Sequence, residues 1–320
     1  MLNQTLPKAF LLTACGVGLT LGVHAGELGR YTSNADGFNT HTYYYDDGEE
    51  VTLFDTQFLP TFTQAMVDQI REETDSPITR VVVTHPNPDK FNGLPLLHDL
   101  GATSIASEAT AEAMPAVHEY KKRYWVEEAG AFEPGEYPDF ESVQKTFTGE
   151  QTIELDSGET ITLIELEHSA IASNQTVARI DATGDLIVGD MVHHKAHAWL
   201  EGGLVDGEPQ PDLDAWRQAL RELEAIDADR VHGGRGESAS LDEAVAEQIR
   251  YLNGVEAEVR RYIEEHPDLE QALDDPERAQ DHYQAIQERV AARFPDYELP
   301  YMVGYSVYSL VRSLVAVRDS

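Results

Sequence analysis

Cysteine is almost absent from this chain. Its 320 residues carry one, Cys15, inside an N-terminal apolar stretch. A chain cleaved beyond that stretch has no thiol, which excludes both disulfide stapling and thiolate ligation of a metal. Positive charge is also scarce: 23 Lys and Arg stand against 58 Asp and Glu, a formal net charge of −35. The excess acid is dispersed along the chain rather than gathered in a tail. That pattern implies a folded protein with a heavily hydrated acidic surface. Such a surface stays soluble at high salt, where screening removes the self-repulsion, and it points to a salt-adapted organism. It disfavours binding to nucleic acid or to anionic membrane. Long apolar runs are missing as well. The uncharged stretch 9–23 is shorter than the ~20 residues a bilayer span needs, so no stable membrane insertion is expected. No flavin or nicotinamide fingerprint is recognisable.

What is present begins with a targeting signal. Lys8 gives a weak positive start, residues 9–23 are apolar, and Val23-His24-Ala25 ends with small residues where a signal peptidase reads. Residues 1–25 are expected to be a signal peptide removed on export, giving a periplasmic or secreted protein. Leu12-Thr13-Ala14-Cys15 also resembles a lipoprotein box, which is the minor alternative. Apolar residues are 41% of the chain, enough for a substantial core. The rest divides into a main domain over 26–239 and a helical extension over 240–320.

Residues 40–45 and 50–55 read as a hairpin around Asp46-Asp47-Gly48. Residues 62–73 have helical spacing, with Phe62, Met66, Val67 and Ile70 on one face. A β-branched run then ends in the polar loop of residues 80–93, RVVVTHPNPDKFNG. A short strand over 102–106 leads to a helix that Ser107 is placed to cap. Residues 120–148 show no clear period and read as an irregular excursion over the site. Strands follow over 151–166, 175–180 and 185–188, then an amphipathic helix over 214–226 and a short strand into His232. From Ser240, which opens a Ser-Leu-Asp-Glu capping box, helical patterns run to the end with breaks at Pro267 and around 294–300. Polar clusters close the strands at Asp55, at His85 to Lys90, at His168, at Asp190 and at His232.

Five of these pieces, in order, resemble the metallo-β-lactamase superfamily. They are Asp55-Thr56; Thr84-His85-Pro86-Asn87-Pro88-Asp89-Lys90 in place of T-H-x-H-x-D-H; Glu167-His168-Ser169; Gly189-Asp190; and Val231-His232-Gly233-Gly234, in place of a Gly-His-Gly-like context. The resemblance covers roughly residues 38–240. It implies a four-layer αββα sandwich, with the C-terminal helices as an addition. It also implies metal ligation by His85, Asn87, Asp89, His168, Asp190 and His232, with Asp190 bridging. Imidazole and carboxylate bind zinc at about 2.0–2.2 Å, and a bound water then ionises near pH ~7.

Two letters depart from the pattern. Asn87 stands where a histidine is expected, and its neutral amide is a weaker zinc donor. Lys90 stands where another histidine is expected, and a protonated ammonium has no lone pair to give. The ammonium is therefore expected to crowd the second metal position and to pair with Asp89 and Asp190. At most one ion remains, zinc first, with iron or manganese as alternatives. The leading expectation is a metal-dependent hydrolase acting on an ester, lactone, thioester or similar small-molecule bond. Asp89 or Asp190 orients the water, and Lys90 stabilises the oxyanion. His193, His194 and His197 are expected to contact substrate, and the i,i+4 pair His193 and His197 could bind metal on a helix. The rival readings are a non-catalytic small-molecule-binding protein that has lost its metals and a mononuclear-iron oxidoreductase.

Overall fold

The computed structural model describes residues 26–318; the expected signal peptide and Cys15 lie outside the described residues. Two six-stranded sheets stack face to face. The first runs in strand order β1 (Glu27–Thr32), β2 (His41–Asp46), β3 (Val51–Phe54), β4 (Ile78–Val82), β5 (Thr103–Ser107), β6 (Lys145–Phe147). The second begins with β14 (Ala239–Ser240), β13 (Arg230–Gly236) and β10 (Asp185–His194). It continues with β9 (Thr176–Ile180), β8 (Thr160–Glu165) and β7 (Glu150–Glu154). A hairpin of β11 (Gly203–Val205) and β12 (Glu208–Gln210) stands apart.

Three apolar cores hold the layers. Tyr43, Phe54, Val82, Ile161, Leu163 and Ile187 fill the space between the sheets. Outside the first sheet, Val51, Leu53, Val81 and Val83 bury against Met66, Val67 and Ile70 of α1 (Pro60–Glu73) and against Leu94 and Leu97 of α3 (Leu94–Asp99). Outside the second, Leu186, Val188 and Val192 bury under Trp216 and Leu220 of α5 (Leu213–Glu222) and under α6 (Leu241–Glu265). Alternation along a strand sends successive side chains to opposite faces, so strands buried on both faces read as the near-continuous apolar runs seen in the sequence. The arrangement is the expected αββα sandwich.

The C-terminal helices close the second core. With α6 they are α7 (Leu269–Ala272), α8 (Pro276–Arg293) and α9 (Tyr301–Arg318). Tyr251, Val255, Val290, Val303 and Val307 are all buried in the same cluster as β10. The extension is thus continuous with the sandwich core. Among the described residues no helix is long and apolar enough to cross a membrane.

Several local expectations change. β10 runs on through His194, so His193 and His197 do not share a helix. The excursion begins as helix: α4 (Glu108–Arg123), capped by the Ser107 side chain, continues as a π-helical turn over Tyr124–Glu128. Ser240 is the N-cap residue of α6, yet its side chain makes no capping bond.

Candidate functional site

The site is built on the loop after β4. Asp55 closes β3 in a left-handed conformation, φ 71°. Its carboxylate accepts from the Thr84 backbone amide at 2.8 Å and from the Thr84 hydroxyl at 2.9 Å. Burial pushes this carboxyl up to about 7, against the pull of Lys90 and the two Thr84 donors. With Thr84 pinned, His85 points inward and the chain enters α2 (Pro88–Phe91), a single turn with Asn87 at its N-cap and Pro88 at its start. That turn aims Asp89 and Lys90 at Asp190 on β10. Gly189, at φ 54°, precedes Asp190, and an added Cβ there would meet the Thr84 hydroxyl at 2.4 Å. At Gly234 an added Cβ would lie 1.8 Å from Asp190 Oδ1. Both glycines are therefore required by the close approach of the loop and of the carboxylate.

At the centre lie two carboxylates and two cations. Lys90 Nζ donates to Asp190 Oδ1 at 2.7 Å and sits 3.0 Å from Asp89 Oδ2. Arg235 Nη1 donates to Asp190 Oδ2 at 2.5 Å, and Nη2 donates to Asp89 Oδ2 at 3.0 Å. The remaining guanidinium Nε donates to the Phe38 carbonyl at 2.7 Å. The Thr40 hydroxyl adds a third donor to Asp89 Oδ2 at 3.2 Å. Lys90 is completely buried. Burial alone would raise Asp190, but Arg235 and Lys90 outweigh it and hold the carboxyl well below its usual range. Lys90 is raised in turn: burial opposes its charge, and Asp190 and Asp89 overcome that.

The expected ligand set does not assemble. His85 arrives, with Nε2 3.8 Å from Asp190 Oδ2, and burial lowers its pKa to about 4, so it is neutral. His168 is turned away. Its backbone amide and ring Nδ1 both bond the Glu222 carboxylate at 3.0 and 2.7 Å, which ties the loop after β8 to α5. His232 is also displaced. In the parallel register of β10 with β13 it lies opposite Ile187, and its ring Nε2 bonds Asp185 at 2.7 Å. Arg235, three residues on, reaches the centre instead. Gly234-Arg235-Gly236 fits the expected Gly-His-Gly-like context with arginine at its middle, and that signal in the sequence could have found it.

A dinuclear or mononuclear metal centre of the expected kind therefore does not fit these residues. Both carboxylates already carry organic cations on each bonded oxygen, and two of the expected histidines face elsewhere. Among the described residues no group of three or more His, Cys, Asp or Glu is placed to hold an ion.

The three histidines assigned to substrate do other things. His193 is buried beside Asp190, neutral, with its pKa lowered to about 3 chiefly by burial. Neither ring nitrogen of His85 or of His193 has a hydrogen-bond partner. His194 faces Glu243 of α6 at 3.7 Å. His197 packs on Tyr251, Phe294 and Tyr297, with Nδ1 3.1 Å from the Tyr251 hydroxyl.

Above the ion cluster opens a cleft whose free space, counted out into open solvent, is about 390 Å³. Asn87, Asp89, Asp190 and Arg235 form its polar floor; Lys90 is not on its surface. The walls are Phe38, Phe58, Trp125, Trp199 and Met302. The Phe38 ring centroid lies 4.9 Å from that of Phe58, 5.5 Å from that of Trp125 and 5.9 Å from that of Trp199. Phe38 holds this place through a left-handed backbone, φ 59°. Trp125 comes from the π-helical turn, Trp199 from the segment after β10 and Met302 from α9, so the C-terminal extension supplies part of the wall. Lys121 stands at the side, paired with Glu201 and 4.8 Å above the Trp199 ring.

Known proteins agree with this fold. The model of the metallo-beta-lactamase superfamily matches residues 35–235. A metallo-beta-lactamase from Pontibacter korlensis superposes with a TM-score of 0.53 at 18% identity, over 71% of this chain and 94% of that one. TMB-1, whose structure concerns substrate and inhibitor binding, gives 0.51 at 18% identity, over 72% and 98%. At that identity the structures speak for the fold, and the family model covers well over half of the sequence. The chain belongs to the metallo-beta-lactamase superfamily.

Proposed function

We propose that this protein is a metal-independent member of its superfamily that binds an uncharged, largely apolar small molecule in the aromatic pocket. Superfamily membership suggests a metal-dependent hydrolase, and proteins of this fold commonly bind zinc. The observation that carries the different reading is the cluster of Asp89 and Asp190 with Lys90 and Arg235. Two buried anions need two positive charges, whether from ions or from side chains. Here the side chains supply both. The floor is then neutral as a unit, so it offers no strong attraction to a charged ligand. Four aromatic rings and Met302 favour a flat or apolar one. Asn87, on the pocket surface, is placed to orient it by one hydrogen bond.

The Lys90 ammonium is buried between the carboxylates, so an oxyanion role for it requires a rearrangement. For that reason the hydrolase reading ranks second. Elemental analysis of protein purified without chelator tests the choice. Substoichiometric first-row metal and a melting temperature indifferent to EDTA are expected. Stoichiometric zinc whose removal lowers the melting temperature would restore the metal-dependent hydrolase. The neutral fluorophore N-phenyl-1-naphthylamine should bind, and Trp125→Ala should weaken it by about tenfold, or ~1.4 kcal/mol. Equal binding by wild type and variant would sink the assignment of the pocket.

A further inference from the structure

His232, absent from the ion cluster, belongs to a second arrangement. Its Nδ1 lies 2.8 Å from the Ser238 hydroxyl and its Nε2 lies 2.7 Å from Asp185 Oδ1. Asp185 is held below the usual carboxylate range: burial would raise it, and the bonds from His232 and Thr183 win. An ionised Asp185 can only accept, so Nε2 carries the proton and Nδ1 is left to accept from Ser238. That is the tautomer a base needs to deprotonate a serine. The strand β14 runs antiparallel to β13, and Ser238 precedes it, which brings the serine back beside His232.

Around these three lies a polar setting. The Tyr43 ring packs on His232 with centroids 5.1 Å apart. Its hydroxyl is buried and has no hydrogen-bond partner. Burial raises this phenol. In the strand registers Arg30 lies opposite Tyr43, and Arg230 lies opposite Asp185. Arg30 on β1 and Arg230 on β13 are both exposed. In a chain with a net charge of −35, these two arginines give an anionic group at this edge cations to meet.

The same chain contains its own contrast. His98 bonds the Ser104 hydroxyl at 2.8 Å with Nε2 and Glu141 with Nδ1. Ser104, however, is fully buried, and its oxygen already accepts the Gln144 amide at 2.9 Å. That trio is a strut. Ser238 is partly exposed, and His232 is its hydrogen-bond partner.

We propose that Ser238, His232 and Asp185 form an acyl-transfer site at the open edge of the sandwich, with Tyr43 as oxyanion donor and Arg30 and Arg230 selecting a small ester that carries a carboxylate. The Ser238 oxygen forms a bond to the acyl carbon as its proton passes to His232 Nδ1. The carbon–alkoxide bond breaks, and the alkoxide leaves with that proton. Water, deprotonated by His232, then adds to the acyl-serine; the serine is regenerated and a carboxylic acid is released. No metal takes part. Asp185 and Asp190 are five residues apart on β10, at most about 16 Å along the strand, and neither Ser238, His232 nor Asp185 lines the aromatic pocket, so the site is separate from it.

Diisopropyl fluorophosphate on the full-length protein, with the adduct located by mass spectrometry, tests this. One adduct on Ser238 is expected, absent from Ser238→Ala and still formed by Ser104→Ala. Hydrolysis of mono-p-nitrophenyl succinate should fall at least ~100-fold in kcat/KM in Ser238→Ala and in His232→Gln. Replacing Arg30 and Arg230 with Ala should raise KM for this ester about tenfold and lower its kcat/KM relative to that for p-nitrophenyl acetate by about the same factor. The proposal is overturned if wild type with a native circular dichroism spectrum forms no adduct on Ser238. It is equally overturned if His232→Gln labels at the wild-type rate. Because metal content and fluorophore binding report on the other site, failure here leaves those results independent.

Discussion

Lys90 and Arg235 show how much one side chain can decide. Each of the two buried carboxylates touches both cations, so removing one cation leaves a buried anion half compensated. Breaking such a pair on one side typically costs about 3–5 kcal/mol, because the stranded charge keeps its desolvation penalty. Lys90→Met should therefore lower the unfolding free energy by about that amount in urea titrations at neutral pH. A loss under ~1 kcal/mol would place the lysine with exposed, solvated pairs instead. The lysine was visible in the sequence as a departure at a known position, and its partners could be guessed from the chemistry of ammonium and carboxylate. Arg235 was not, because His232 in the same strand offered a familiar residue type three places too early.

At the scale of elements, β10 does most of the organising. Its middle carries Asp190 into the ion cluster, and its continuation carries His197 under α6. Burial lowers the His197 pKa to about 4, against ~6.5 in an unfolded chain. A folded-state pKa below the unfolded one means that stability is present above pH ~6.5 and is lost as pH falls through about 4. The contribution is at most ~3.5 kcal/mol, at about 1.4 kcal/mol per unit. In His197→Asn that titration is gone, so the stability difference between wild type and variant should shrink on going from neutral pH to below pH ~4. Parallel stability curves for the two proteins would show that His197 is solvated. The helical extension is thereby tied to the sandwich by a side chain first assigned to substrate.

The whole molecule is governed by its charge. A net charge of −35 on one chain repels itself at low salt, and the screening length shrinks from ~10 Å at 0.1 M to ~3 Å at 1 M. The melting temperature should therefore rise steadily as KCl is raised across that range. A flat or falling curve would contradict the salt-adapted reading of the surface. The buried cluster of four charges should contribute little to this dependence, since it is shielded from the electrolyte.

The sequence by itself determined the layered fold and the places where strands end in chemistry. Apolar runs with period two or 3.6 build sheets and helices locally, and polar residues after β-branched runs mark the loops at strand ends. Asp55, His85, Asp89 and Lys90 were legible for that reason, and Asp190, which lies inside β10, was legible from its Gly-Asp context. Only the tertiary structure decided which side chains meet. Phe38, Trp125, Trp199 and Met302 form one wall from four distant segments, and no local pattern links them. His168 was captured by Glu222 on a helix that follows in the sequence, and the register of β10 with β13 gave Asp190 an arginine and Asp185 a histidine. Strand register and long-range packing set those contacts, and here they set the charge at the centre of the site as well.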